Sequence, residues 1–320
     1  MRQLAFCLPV CLLTATIASA QSGPAHRWTF DESSGSTAVD SGSGPTVNGT
    51  LGSGATRIPG VVGSGAVNFA PFDLDGYVDM DTSVAAFGTG DFTISFWVKK
   101  SPGPRFGELV GTRGGFGSGG NFVDFRGSDA RITLEIMEDG GGTGYIPIGA
   151  DVPLADGNWH HITGVRSGPT AWLYFDDVLV VTGDSVDGVT ANLQQVFPFT
   201  VGVNDVERTF RDLNCGCSFD DVRIYNRALS PYEIMKPADA ITALTGLING
   251  LGLPRGLTNS LTAKLGAAAA ALKRGDSQTA INILGAFQNE VAAQAGKGLT
   301  SDQAAQLTAI ANLIIGNLQG

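Results

Sequence analysis

Histidine is scarce in this sequence, with three in 320 residues, at positions 26, 160 and 161. His160 and His161 are adjacent in a strand-like run, so their side chains leave opposite faces and cannot hold one metal together. A catalytic zinc centre or a Ser-His-Asp relay has little to draw on, and the three read as structural histidines on strand faces. Cysteine is nearly as rare. Of the four, Cys7 and Cys11 fall in the first twenty residues, leaving Cys215 and Cys217 around Gly216. Two cysteines cannot supply a four-ligand zinc site. In an exported chain they close a small disulfide; the other readings are two free thiols or a bridge to a second chain. Basic side chains are outnumbered 30 to 20, which removes the electrostatic footprint of a nucleic-acid binder. No stretch reaches the roughly 18 uncharged apolar residues of a spanning helix, so no membrane span is expected.

The first twenty residues carry one charge, Arg2, then an apolar run from Leu4 to Ile17 and the small residues Ala18-Ser19-Ala20 before Gln21. This is the pattern of a cleaved secretory signal peptide, residues 1–20, and it predicts a secreted protein, extracellular or periplasmic. The acidity is unevenly placed. Residues 21–236 hold 26 acidic and 14 basic side chains, whereas residues 237–320 hold 4 and 5. Aspartate-rich loops suit hard cations such as calcium, although solubility alone accounts for many of them.

The hydrophobic period divides the chain at the same place. From Gln21 to Tyr225, short apolar runs alternate with Gly, Ser, Asp and Asn. The clearest is Asp91–Lys100, with Phe92, Ile94, Phe96 and Val98 on one face and Thr93, Ser95 and Trp97 on the other. About a dozen such runs without helical period predict an all-β sandwich or jelly roll over residues 21–236. Asp176-Asp177 falls at a hairpin tip, where a two-residue turn favours Gly second. Ser218–Ile234 ends the β region: Val222 and Ile224 share one face, Ser230 caps, Pro231 follows and Glu233 completes a capping box. Counted by alternation, Asp220 joins Val222 and Ile224 on the inward face, where a carboxylate needs a partner.

Beyond Lys236 the spacing becomes helical. Ile241, Leu244 and Ile248 stripe one helix, and Leu257, Leu261, Leu265, Ala268 and Leu272 a second that stops at Lys273-Arg274-Gly275. Asp276 caps a third with Ile281, Leu284, Phe287 and Val291 facing in. Thr300 and Gln303 box a fourth, striped by Leu307, Ile310, Ile314 and Leu318. The expectation is a small all-α four-helix bundle over residues 237–320.

The β region resembles the LamG-like jelly-roll family, within the concanavalin A-like lectin/glucanase group. The resemblance is carried by His26–Glu32 (HRWTFDE), Gly76–Asp79 (GYVD), Asp91–Lys99 (DFTISFWVK), Trp159–Ile162 (WHHI), Leu173–Asp176 (LYFD) and Phe219–Leu229 (FDDVRIYNRAL). Asp177 stands where the family usually has Gly, and Cys215-Gly216-Cys217 replaces its Gly-rich lead-in to the last strand. The tail is similar to the FIMAH domain through Leu261–Leu272, Ala286–Lys297 and Leu299–Ala305, which implies a bacterial extracellular protein. The family's structural calcium transfers onto Asp220, with the Asp31–Glu32 turn beside it and Asp40 in the following loop. The other reading is that Asp220 caps amides or pairs with an arginine.

Related glucanases place Glu-x-Asp-x-Glu on one strand to aim two carboxylates together. Glu135 and Glu138 are the nearest approach, and they lack the middle Asp and point to opposite faces, so no enzyme is expected. Trp172 and Tyr174 stand opposite Leu173 and Phe175 as candidate sugar platforms. Trp97 is a third, although SFWVK reads as packing first. Arg113–Gly120, Glu138–Tyr145 and Asn204–Leu213 are the irregular loops where a ligand would meet the sheet.

These readings together describe a secreted non-catalytic binding protein. Its jelly roll recognises a polysaccharide or a surface glycoprotein, and its helical tail serves attachment or assembly with other secreted or cell-surface proteins. The alternatives are a glycan-active hydrolase or lyase, whose carboxylates would converge from separate strands, and an architectural protein–protein module.

Overall fold

The computed structural model describes residues 23–71, 73, 75–103, 107–113, 120–194, 197–202 and 215–319. Among the described residues, sixteen strands precede the α-helices. They are β1 (His26–Trp28), β2 (Thr37–Ala38), β3 (Gly49–Leu51), β4 (Ala55–Ile58), β5 (Ala66–Phe69), β6 (Tyr77–Met80), β7 (Phe92–Lys100) and β8 (Gly107–Gly111). Then come β9 (Phe122–Gly127), β10 (Arg131–Met137), β11 (Ile146–Asp151), β12 (Trp159–Ser167), β13 (Thr170–Phe175), β14 (Val178–Asp184), β15 (Phe199–Gly202) and β16 (Cys217–Tyr225).

They form two antiparallel sheets. One runs β14-β13-β12-β7-β16-β5-β4, with β1 also paired to β16; the other runs β11-β10-β9-β8-β15-β6-β3-β2. The alternation read from the sequence explains how they close on each other. Phe92, Ile94, Phe96 and Val98 of β7 are fully buried between the sheets, while Trp97 on the opposite face stays half-exposed. Phe96 meets Phe125 of the other sheet edge-on at 5.3 Å, a geometry that matches ring edge to ring face. The first and last strands lie side by side, His26 opposite Ile224 and Trp28 opposite Val222.

The β13–β14 turn departs from the glycine expectation. Asp176 and Asp177 both take positive φ, 51° and 70°, a conformation aspartate tolerates better than most residues. The histidines hold it: His160 Nδ1 lies 2.9 Å from Asp176 Oδ2, and His161 Nδ1 lies 2.6 Å from Asp177 Oδ1.

The sandwich gives way to the short helix α1 (Pro231–Ile234), where Glu233 accepts from the Ser230 amide at 2.8 Å. Four longer helices follow: α2 (Pro237–Gly250), α3 (Arg255–Lys273), α4 (Ser277–Gln294) and α5 (Ser301–Gln319). Asp276 caps α4 through the Thr279 amide at 3.0 Å. Thr300 and Gln303 exchange the two bonds of the capping box at 2.9 and 3.1 Å. Their striped faces bury a second core, including Leu261, Leu265, Phe287, Leu307 and Ile314, separate from that of the sandwich.

Candidate functional site

The carboxylate at the entrance to β16 lies on a different face from the one alternation gives it. Asp220 pairs with Trp97 of β7, and the next matched pair is Arg223 with Ser95, so β16 carries one extra residue. Asp221, at φ 47°, makes this bulge, and a bulge resets the parity of everything before it. Asp220 therefore shares the face of Trp97, while Val222 and Ile224 stay in the core.

Asp220 is nonetheless fully buried, because the loop of residues 60–65 closes over it. Its Oδ2 accepts from the Val61 and Val62 amides at 2.7 and 2.8 Å. Its Oδ1 meets no donor among the described residues. Burial pushes the carboxyl up to about 6, against the pull of the two amides. Asp31 holds the other end of the loop, accepting from the Ser64 and Gly65 amides at 2.5 and 2.8 Å. The fit is close: a Cβ on Gly60 would stand 2.2 Å from the Gly65 carbonyl oxygen and 2.7 Å from Asp220 Oδ2.

The orphaned buried oxygen of Asp220 and the Gly65 carbonyl oxygen, which lies against Gly60 together with the Asp220 carboxylate, are oxygen donors of the kind that suit a hard cation such as calcium. No group of three His, Cys, Asp or Glu side chains able to hold a metal gathers among the described residues, so carbonyls would have to complete the shell. Asp40 does not belong to that set. Its two oxygens already take four donors, the amides of Arg27, Gly42 and Val47 and the His26 ring, which leaves no lone pair for a metal.

Of the three aromatic platforms, Tyr174 is closed off. It is 3 % exposed and packs with Val165 and Ile234, and Ala228 and Leu229 lie against the same cluster. Thr93 Oγ1 clips that segment down by donating to the Arg227 carbonyl and accepting from the Leu229 amide. A ring sealed in this way cannot stack on a sugar, and its burial raises its hydroxyl to about 12. Trp172 lies half-buried at the rim of the same cluster. Trp97 stacks on His161 with ring centroids 5.0 Å apart. Cys215 and Cys217 are bonded through their sulfurs, with Gly216 between them at φ 59°. Residues 1–20, and residues 114–119 and 204–213 of the ligand loops, lie outside the described residues.

The other sheet brings together what the sequence kept apart. Glu108 of β8, Asp124 and Arg126 of β9 and Glu135 of β10 all project from its outer face, Glu135 directly opposite Asp124 and Glu108 opposite Arg126. Arg113 Nη1 reaches Glu135 Oε2 at 2.7 Å and Asp124 Oδ2 at 3.3 Å, and its guanidinium lies 4.7 Å over the Phe122 ring. Tyr145 donates its hydroxyl to Glu135 Oε1 at 2.6 Å; burial first, and then this bond, pushes that hydroxyl up to about 12.

Two layers result. Glu108 and Asp124 are fully buried, and burial pushes Asp124 upward against its bond with Glu108 and the charges of Arg126 and Arg113. Arg113, Glu135 and Tyr145 above them remain partly open to solvent. Sequence reasoning reached Glu135 but paired it with Glu138, whose Oε2 in fact accepts the Asn192 amide at 2.9 Å. The available signal was an acid at a non-core position in three consecutive strands; the register that aligns them was not available.

Residues 72–235 match the family model described as the concanavalin A-like lectin/glucanases superfamily, and residues 238–316 match the FIMAH domain. Among solved structures, the chain is similar to the binding domain of Paraclostridial Mosquitocidal Protein 1, at 16% identity and a TM-score of 0.53, over 66% of this chain and 51% of that one. It is similar to the botulinum neurotoxin serotype D binding domain at 13% identity and a TM-score of 0.50, over 65% and 49%. Trypanosoma rangeli sialidase aligns at 17% identity and a TM-score of 0.48, over 66% of this chain and 32% of its own. At these identities the likeness is one of fold, and the chain spans about half the length of the first two. No curated protein sequence matches it.

Proposed function

Since this chain belongs to the concanavalin A-like lectin/glucanases superfamily, we propose that it is an exported, non-catalytic glycan-binding protein whose helical domain serves attachment or assembly. The observation that carries this reading is the layered polar face of Arg113, Glu135 and Tyr145. Each group is held by another, so the face is organised before a ligand arrives and little side-chain entropy remains to be lost on binding. Carboxylate and guanidinium offer an acceptor and donors to sugar hydroxyls, and the Tyr145 ring offers an apolar surface.

Calcium belongs to this proposal as a structural ion. Asp220 and the carbonyls of the loop of residues 60–65 would hold it, and bound there it would supply the positive charge that the buried carboxylate lacks. With it, the loop would be fixed between Asp31 and Asp220.

Hydrolysis is the second reading, favoured by one observation: Asp124, whose carboxyl burial drives toward the protonated form, stands across the ladder from Glu135. Against it, a general acid must reach its substrate, and Asp124 is fully buried with Arg113 between it and Glu135.

A pull-down of the full chain on a panel of insoluble polysaccharides, with calcium and with EDTA, tests these readings. Binding predicts retention without soluble sugar, reduced at least tenfold in Arg113→Ala. Release of soluble products that Asp124→Asn abolishes would establish the hydrolase. Retention unchanged in Arg113→Ala would remove this face from the proposal.

A further inference from the structure

A second charged surface lies on the opposite sheet. Arg27 of β1 and Arg223 of β16 are direct cross-strand partners. Like charges in that relation repel. One carboxylate serves both: Asp221 Oδ1 accepts from Arg27 Nε at 2.7 Å, and its Oδ2 accepts from Arg223 Nη2. The bulge that turns Asp220 away from the core also turns Asp221 beneath the two arginines, where its side chain is 1 % exposed against 33 % for each arginine. Arg223 Nε meets no acceptor among the described residues.

Two residues further along the same ladder, a distance of about 7 Å, a depression of about 170 Å³ is lined by Gly23, Ala25, Ser43, Tyr225, Asn226 and Arg227. Arg227 holds Glu233 at 2.8 Å and lies 5.7 Å from the Tyr225 ring centroid. This surface therefore presents three guanidiniums, each about a third exposed, over carboxylates that are almost wholly buried: Asp221 and Glu233 in direct contact, Asp220 and Asp40 beside them. The charge it turns to solvent is positive, on a sandwich region in which acids outnumber bases 26 to 14.

We infer that the outer face of the β1–β16 ladder, from the Arg27–Arg223 pair to the depression at Tyr225 and Arg227, binds an anionic unit of an acidic polysaccharide. The inference rests on the glycan-binding reading but places its site on the other sheet. Guanidinium donors match the planar oxygens of a carboxylate and also satisfy a sulfate. A depression this small takes one sugar-sized unit rather than a folded segment, and Tyr225 gives the ring an apolar neighbour. Because Asp221 already neutralises one of the two paired arginines, the site offers about one net charge per unit bound, so affinity would accumulate along a polymer.

Affinity electrophoresis of the full chain through gels containing polygalacturonate, dextran sulfate or neutral hydroxyethyl cellulose tests this. Retardation by the first identifies a carboxylate ligand and by the second a sulfate ligand; either supports the site, with retardation falling as salt rises. Removing Arg27 leaves Asp221 paired with Arg223 and takes away the one net charge of the pair, so the variant is Arg27→Gln. Its retardation by the anionic polymer should fall at least fivefold while its melting temperature stays near that of the parent. Arg113→Ala should leave that retardation unchanged, which separates this site from the face on the other sheet. No retardation by either anionic polymer, or equal retardation in Arg27→Gln, would overturn the inference. Equal retardation by polyglutamate would overturn the assignment to a sugar.

Discussion

Among the described residues, every buried polar or charged residue lies between His26 and Asp221, in the sandwich, with the buried side chain of Glu233 just beyond it. The buried core of the helical bundle contains only Ala, Ile, Leu, Phe and Val. The five described non-glycine residues at positive φ follow the same division: Phe30, Asn121, Asp176, Asp177 and Asp221 all belong to the sandwich. Buried charge and left-handed backbone cost free energy and persist where the surroundings over-determine them. The bundle carries neither, and two of its helices, α4 and α5, start at side-chain caps, Asp276 and Thr300. Sites of recognition are therefore to be sought in the sandwich, and the bundle reads as a domain whose interior is optimised for folding.

That contrast can be broken most decisively in the cores. Because the two cores form separate clusters among the described residues, with the small cluster at Tyr174 and Ile234 at the junction, calorimetry should resolve two transitions. Phe96→Ala should lower the sandwich transition by about 3–5 kcal/mol and leave the other in place, with Phe287→Ala doing the reverse. A single transition moved by either substitution would show that the regions fold as one unit.

A smaller effect, of changing sign, is expected at Asp220. Its folded value near 6 lies above the ordinary 3.8, so the native state holds the proton more tightly than the unfolded chain. Without a cation, this group's contribution to stability is greatest below pH ~4 and is lost as pH rises through 6, by at most about 3 kcal/mol. Asp220→Asn in EDTA at pH 7.5 should therefore raise the melting temperature, and calcium should raise that of the parent only. A parent melting temperature indifferent to calcium would remove the ion from the account, and an Asn variant less stable in EDTA would remove the burial penalty.

The smallest expected change sharpens the comparison from the bundle side. Thr300→Ala removes one half of the α5 capping box and should cost about 1 kcal/mol in the bundle transition alone. A shift in the sandwich transition would contradict the independence of the two regions.

The sequence was most legible where one residue's environment depends on its near neighbours. The buried stripe of β7, the boxes at Ser230–Glu233 and Thr300–Gln303 and the Asp276 cap were all readable as local patterns. Legibility failed at Asp220, where one extra residue in β16 reversed the alternation, and at Tyr174, whose covering arrives from Ile234, sixty positions later. Asp40 illustrates the same limit, since three of its four donors come from Arg27, Val47 and the His26 ring.

By itself the sequence determined the two-region plan, the β and helical periods, the caps and the acidic sandwich, because each follows from composition or from spacing within a single turn or strand. Only the tertiary structure decided which charges meet. Arg113, Asp124 and Glu135 become neighbours through the β9–β10 ladder and a loop end, and Arg27 and Arg223 through the pairing of the first strand with the last. Register is a collective outcome of packing two sheets against each other, so no stretch of sequence specifies it alone.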